Sequence, residues 1–195
     1  MKILAVILAG GEARRMGGVD KAMMALAGKP LIAHLIERFG PQAEGLAISA
    51  NGDLARFSRF GLPVFADDQS KGPLSGILAG LLYAKAQGYD AVVSVPVDTP
   101  FVPFDLVARL REVPLGYAQA GRSHYATAIW PVSLADDLAD FLASGAKPRI
   151  FDFAASHDAK AVEFDRPEAF DNLNSIGDLA AAEARLSALE SGSAA

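Results

Sequence analysis

Apolar residues in this chain fall into short unbroken runs, each followed by a polar or glycine-bearing loop and then by a stretch with helical spacing. Ile3 to Leu8 is the first run, and its lack of alternation predicts a strand buried on both faces. Ala22 to Leu26 is a second, ended by the turn Ala27-Gly28-Lys29. Pro30 suits the first position of a helix, whose apolar side is Leu31, Leu35, Ile36 and Phe39. Leu46 to Ala50 predicts the next strand, with a short helix holding Leu54, Phe57 and Phe60 behind it. Pro63 to Ala66 predicts another, opening onto Asp67-Asp68. Gly72-Pro73 starts the clearest helix: Leu74, Ile77, Leu78, Leu81 and Leu82 keep helical spacing, and Gly88 suits its end.

Ala91 to Val95 predicts a further buried strand, closed by Pro96-Val97-Asp98-Thr99-Pro100. A helix near Asp105 to Glu112 follows. Gly116 to Ala120 and Ala126 to Trp130 then read as two strands joined by a polar turn. Helices near Ser133 to Ala143 and Arg149 to Ala155 precede a strand at Ala161 to Phe164. The last helix begins at Ser175, where Ser175 and Asp178 have capping-box spacing.

This alternation predicts an α/β fold: a single-domain three-layer α/β/α arrangement around a Rossmann-like, mostly parallel sheet. The domain is expected over residues 1–190, with a frayed small-residue tail at 191–195. Ligands of such sheets bind beyond the carboxyl ends of the strands. Attention therefore falls on the loops after Leu8, Ala50, Ala66 and Val95, all of which carry Gly, Asn or Asp.

Composition narrows the function classes. A chain of 195 residues, 51% hydrophobic, has material for one well-filled core. Its net charge of −5 argues against general nucleic-acid binding. With no cysteine there is no disulfide, thiolate metal site or cysteine nucleophile. No run approaches the roughly 20 apolar residues of a membrane helix. The run Ile3 to Ala9 is too short for a signal peptide before Gly10-Gly11 intervenes. A cytoplasmic protein is expected.

The loop from Leu8 to Lys21 reads LAGGEARRMGGVDK. Gly10, Gly11, Gly17 and Gly18 let the backbone approach a ligand, and backbone N–H groups in such loops cradle phosphate oxygens. Arg14, Arg15 and Lys21 add positive charge suited to phosphate. The loop lacks the GK[ST] ending of a P-loop and the G-x-G-x-x-G of a dinucleotide fold. Asp98, held between prolines after a buried strand, is placed to hold Mg²⁺ or to cap a turn. Asp67 and Asp68 at another strand end read as ligand contacts or as solvated loop acids. An Asn opening a helix, as Asn51 does, is commonly a cap.

These segments together resemble the pyrophosphorylase-type nucleotidyltransferases, whose signature is LAGG-x-x-x-RM-G-x-x-K. Most closely the chain resembles the molybdenum cofactor guanylyltransferases, with RRMGGVDK continuous here up to Lys21. The resemblance implies a nucleotide-diphospho-sugar-transferase-like fold. It implies Arg15, Lys21 and Asp98 as catalytic residues, and Leu8, Ala9, Gly10, Lys21, Asn51, Asp67 and Asp98 as nucleotide-binding residues. By the D-T-P match, Asp98 is the Mg²⁺ ligand. Gly72-Pro73-Leu74-Ser75-Gly76 matches the family's G-P-L-x-G. The family often has Asn-x-Asn where this chain has Ser49-Ala50-Asn51, which leaves the contact open between Ser49 and Asn51 and favours Asn51. Phe170-Asp171-Asn172-Leu173-Asn174 resembles F-x-N-x-N, and with Arg149 it implies Asn172 and Asn174 on the acceptor side. Asn174 could equally cap the last helix. His124 begins the family's H-P segment, but Tyr125 replaces the proline.

The implied activity is transfer of GMP from GTP to the terminal phosphate of the molybdenum-pterin cofactor, with Mg²⁺ as cofactor. Molybdenum enzymes or their chaperones are the implied protein partners, with no nucleic acid or membrane, for a monomer or weak oligomer. The nearest alternatives are a cytidylyltransferase for the same pterin and a sugar-phosphate nucleotidyltransferase. A different class is a non-catalytic nucleotide-binding or cofactor-delivery module, which has no need of Lys21 and Asp98.

Overall fold

The computed structural model describes residues 1–10, 20–67, 72–144 and 148–192, with the backbone alone at 176 and 187–192. The chain runs β1 (Ile3–Leu8), β2 (Ala25–Leu26), β3 (Lys29–Pro30), α1 (Leu31–Phe39), β4 (Gly45–Ala50), β5 (Val64–Ala66) and α2 (Pro73–Ala86). It continues with β6 (Ala91–Pro96), α3 (Leu106–Leu110), β7 (Gly116–Ala120), β8 (Arg122–Pro131), α4 (Ala135–Ala143), α5 (Ile150–Ser156), β9 (Lys160–Glu163) and α6 (Ile176–Gly192). Short 3₁₀ turns cover Lys21–Met23, Leu54–Phe60 and Pro167–Phe170, among others.

Seven strands form one sheet in the order β5-β4-β1-β6-β8-β7-β9. Only β8 runs against the rest: β6–β8 and β7–β8 are antiparallel, while β1–β4, β1–β6, β4–β5 and β7–β9 are parallel. The mostly parallel three-layer α/β/α architecture is thus as the sequence predicts. Strand β1 shows why its apolar run has no alternation. Ile3, Ala5 and Ile7 pack under α1, α3 and the 3₁₀ turn at Phe57, whereas Leu4, Val6 and Leu8 pack under α2, α4 and α5. Every second side chain points to the opposite face, and both faces are covered.

Three local expectations change. The segment after Lys21 is a 3₁₀ turn and then a two-residue hairpin, β2–β3, turned by Ala27 (φ 48°) and Gly28 (φ 74°). Two successive positive φ values make the tight turn whose twist matches paired strands. Pro30 ends β3 just ahead of the helix, which starts at Leu31. Strand β8 begins at Arg122, before the expected Ala126, because Gly121 (φ 66°) reverses the chain directly after Ala120. Arg122 to His124 are therefore strand, although their polarity reads as turn.

A third, smaller core joins the end of the chain to its beginning. Leu173, Leu179, Ala182 and Leu186 pack with Met24, Leu26, Leu31 and Phe101. The capping box is present: Ser175 Oγ accepts from Asp178 N at 3.1 Å, and Asp178 Oδ2 accepts from Ser175 N at 2.8 Å. Among the described residues no helix is long and apolar enough to cross a membrane.

Candidate active site

The parallel strands bring their carboxyl ends to one edge, and backbone bonds sew those ends together. Ala9 N donates to Ser49 O at 2.8 Å, Val97 N to Leu8 O at 3.1 Å, and Asp67 N to Ala50 O at 3.0 Å. Leu8, Asn51, Asp67 and Asp98, distant in sequence, therefore stand on neighbouring strand ends.

Lys21 and Asp98 meet at the centre. Lys21 Nζ lies 2.7 Å from Asp98 Oδ2, and Asn172 Nδ2 donates to the same oxygen at 3.3 Å. The lysine ammonium also donates to Asn174 Oδ1 at 2.5 Å. Leu173 N donates to Asp98 O at 2.8 Å, which fixes the segment between the two asparagines against the Asp98 loop. Asp98 Oδ1 is buried and has no hydrogen-bond partner among the described residues. A buried carboxylate oxygen without a donor is costly unless something else satisfies it. One such carboxylate, with phosphate and water oxygens beside it, fits the donor set magnesium prefers.

The Asn51 side has its own geometry. Asn51 Oδ1 is likewise buried without a partner among the described residues. A Cβ placed at Gly10 would fall 2.2 Å from it, so any side chain at position 10 would displace Asn51. Ser49 is 1% exposed, and its hydroxyl lies under the start of α2, 2.9 Å from where a Cβ on Gly76 would sit. Close packing of β4 on α2 explains the glycine at 76. Ser49 is thereby sealed beneath the helix, while Asn51, half-buried, borders the open edge. Asp67 Oδ2 accepts from Ser75 Oγ at 2.8 Å, so Asp67 is tied to the first turn of α2.

Two residues that the sequence did not single out connect these groups. Asp20 caps the turn bearing Lys21, its Oδ1 accepting from Ala22 N at 3.0 Å. Its other oxygen lies 2.6 Å from Arg56 Nε, and Arg56 Nη1 donates to Asn51 O at 2.7 Å and to Asp53 O. Arg56 thus braces the Lys21 turn against the Asn51 loop. Asp20 is part of the VDK wording, but nothing in the sequence marks Arg56 among the surface arginines.

The acceptor-side residues separate. Asn172 and Asn174 join the Lys21–Asp98 pair, whereas Arg149 is not joined to that network and forks onto Asp152 at 2.7 and 2.8 Å. That carboxylate holds the Arg149 pKa above its ordinary value. His124 lies on the part of β8 that extends past the end of β6, its ring tilted against Phe170 at 4.9 Å between ring centres. Burial lowers its pKa, only partly offset by the bond to Ala120 O. Gly11, Arg14, Arg15, Gly17, Gly18 and Asp68 lie outside the described residues.

Comparison with known proteins accords with this arrangement. The model of the MobA-like NTP transferase domain matches residues 5–160. The molybdenum cofactor guanylyltransferase of Cereibacter sphaeroides is 54% identical over 190 residues, covering 95% of this chain and 98% of its own. That of Acidiphilium cryptum is 49% identical, covering 92% of this chain and 93% of its own. Among solved structures, molybdopterin-guanine dinucleotide biosynthesis protein A from Archaeoglobus fulgidus superimposes with a TM-score of 0.73 at 21% identity, covering 94% of this chain and 98% of that one. A 4-diphosphocytidyl-2C-methyl-D-erythritol synthase from Anaerococcus prevotii reaches 0.75 at 12% identity, covering 95% and 98%. At such identities the structures speak for the fold, and the sequence relatives carry the family. The chain belongs to the MobA-like NTP transferases and, within them, to the molybdenum cofactor guanylyltransferases.

Proposed function

We propose that this protein transfers GMP from GTP to the terminal phosphate of the molybdenum-pterin cofactor and releases pyrophosphate. The observation that carries the reading is the Lys21–Asp98 pair at the meeting point of the strand ends, with one Asp98 oxygen unpartnered among the described residues. An oxygen of the acceptor phosphate attacks the α-phosphorus of GTP. The bond from that phosphorus to the β-phosphate bridge breaks, and its electron pair leaves with pyrophosphate. The acceptor phosphate is already ionised at neutral pH, so no side chain has to remove a proton. Catalysis then rests on positioning and on electrostatics.

Lys21 would hold the triphosphate and counter the charge that builds on the transferring group, and the resemblance implies the same role for Arg15. Asp98 would present Oδ1 to Mg²⁺. When bound, that ion supplies charge neutralisation on the phosphates and the leaving group. Leu8, Ala9 and Gly10 would line the base and sugar. Ala9 N–H is committed to Ser49 O, so Ala9 would meet the nucleotide through its carbonyl. Asn51 Oδ1, a buried acceptor without a donor among the described residues, suits a donor group of the nucleotide. Asp67 would contact the nucleotide from the start of α2. Arg149 and Asn172 would face the pterin acceptor. The protein is proposed to act in the cytoplasm as a monomer or weak oligomer, delivering its product to molybdenum enzymes or their chaperones.

The test is label transfer from each of four α-labelled nucleoside triphosphates, with Mg²⁺ and the pterin cofactor. Label is expected in the pterin product from GTP. Incorporation from CTP but not from GTP would overturn the base assignment.

A further inference from the structure

We infer that Asn174 acts on the nucleotide side: it is a positioning residue that, with Asp98, holds the Lys21 ammonium where the triphosphate binds. This rests on the proposed nucleotidyl transfer and departs from the acceptor role that resemblance implies for Asn174.

The case begins with the lysine. A lysine side chain has four rotatable bonds, and pinning its end costs rotamer entropy. Lys21 Nζ has two acceptors set for it, Asp98 Oδ2 at 2.7 Å and Asn174 Oδ1 at 2.5 Å. They come from positions 77 and 153 residues away. One acceptor fixes a distance; two fix a direction. Hydrogen bonds from an ammonium are stronger than neutral ones, so the pair can hold the ammonium in place before any ligand arrives.

Asn174 is itself fixed. Its backbone N–H donates to Asp178 Oδ2 at 2.8 Å, inside the capping box that starts α6. Just upstream, Leu173 is buried and bonded to Asp98 O. Downstream, Leu179, Ala182 and Leu186 of α6 pack on Met24, Leu26 and Leu31, the hairpin and helix start that directly follow Lys21. Glu183 Oε1 accepts from Ala27 N at 2.9 Å, the strained turn of that hairpin. The final helix therefore packs on the residues that follow Lys21 while Asn174, just ahead of that helix, takes its ammonium. The clasping residues, Leu173 to Leu186, lie beyond residue 160, where the match to the transferase domain ends.

The experiment measures GTP binding by calorimetry with Mg²⁺ and without any pterin, for wild type, Lys21→Ala, Asn174→Ala and the double variant. Asn174 is exposed, so truncating it leaves the α6 core in place. Circular dichroism checks this, and Asn174→Ser serves as a second truncation. Asn174→Ala is expected to weaken GTP binding by about fivefold to tenfold in wild type and not at all in the Lys21→Ala background. With pterin added, kcat is expected to fall while the acceptor KM stays within about twofold. Unchanged GTP binding with a raised acceptor KM would overturn the inference and return Asn174 to the acceptor. Equal losses with and without Lys21 would overturn it too, by showing that Asn174 does not act through the lysine. If wild type itself binds no GTP, the proposed function fails instead.

Discussion

The two halves of the sheet are built on different plans. In β5-β4-β1-β6 every strand points the same way, so four loops meet at one edge and carry Gly10, Asn51, Asp67 and Asp98. In β8-β7-β9 the strand that joins β6 is reversed: β8 brings its beginning, Arg122 to Tyr125, to that same edge, and its ladder with β7 shifts between Tyr117 and Ala118. The first half offers loop residues that sequence can mark, since glycine and aspartate there interrupt apolar runs. The second offers strand and tail residues whose neighbours depend on long-range pairing. Under the proposed function, the parallel half would hold the chemistry and the irregular half would help select the acceptor.

This contrast can be broken most directly at the parallel edge. Asp98→Asn and Lys21→Ala are each expected to cut label transfer from GTP by about 10²–10³-fold while circular dichroism stays unchanged. Near-normal turnover in either would move the reacting centre away from the strand ends.

The seam between the halves comes next. Trp130 of β8 is 1% exposed and donates through Nε1 to Ser94 Oγ of β6 at 2.9 Å. Trp130→Ala is expected to lower stability by about 3–5 kcal/mol in denaturant titrations. A loss below about 1 kcal/mol would mean that the halves do not share this core.

A smaller effect sharpens the nucleotide side. Gly10→Ala places a methyl group where Asn51 Oδ1 now lies, and GTP binding is expected to weaken roughly tenfold. Unaltered affinity would remove Asn51 from the nucleotide contacts.

The smallest effect belongs to the irregular side. His124 has a pKa below the ordinary histidine value of 6.5, first because burial disfavours the charged ring. The unfolded chain therefore takes up the proton first as pH falls through about 6.5, and stability drops toward acid. Denaturation midpoints at pH 7 and 5.5 should converge in His124→Phe relative to wild type. An unchanged pH slope would show that His124 does not contribute to it.

Much of the fold was legible in the residues. The unbroken runs at β1 and β6 required two covered faces, and Gly72-Pro73 and Ser175–Asp178 marked helix starts for local reasons of φ and capping. Arg122 to His124 look like turn in the sequence, and only pairing with β7 makes them the start of strand β8. The hairpin after Lys21 leaves no periodic signal in the sequence, because its pairing is only two residues long.

The site divides along the same line. The sequence by itself determined that a glycine-rich, basic loop follows a buried strand and that Asp98 closes another. Those properties are written in neighbouring residues. Tertiary structure decided that Ser49 is sealed under Gly76 while Asn51 reaches the edge, that Arg56 braces Asp20, and that Asn174 reaches Lys21 rather than joining Arg149. Each of these depends on which strand ends lie side by side and on a helix folding back over the first hairpin. Such contacts span tens of residues or more, and no local pattern encodes them.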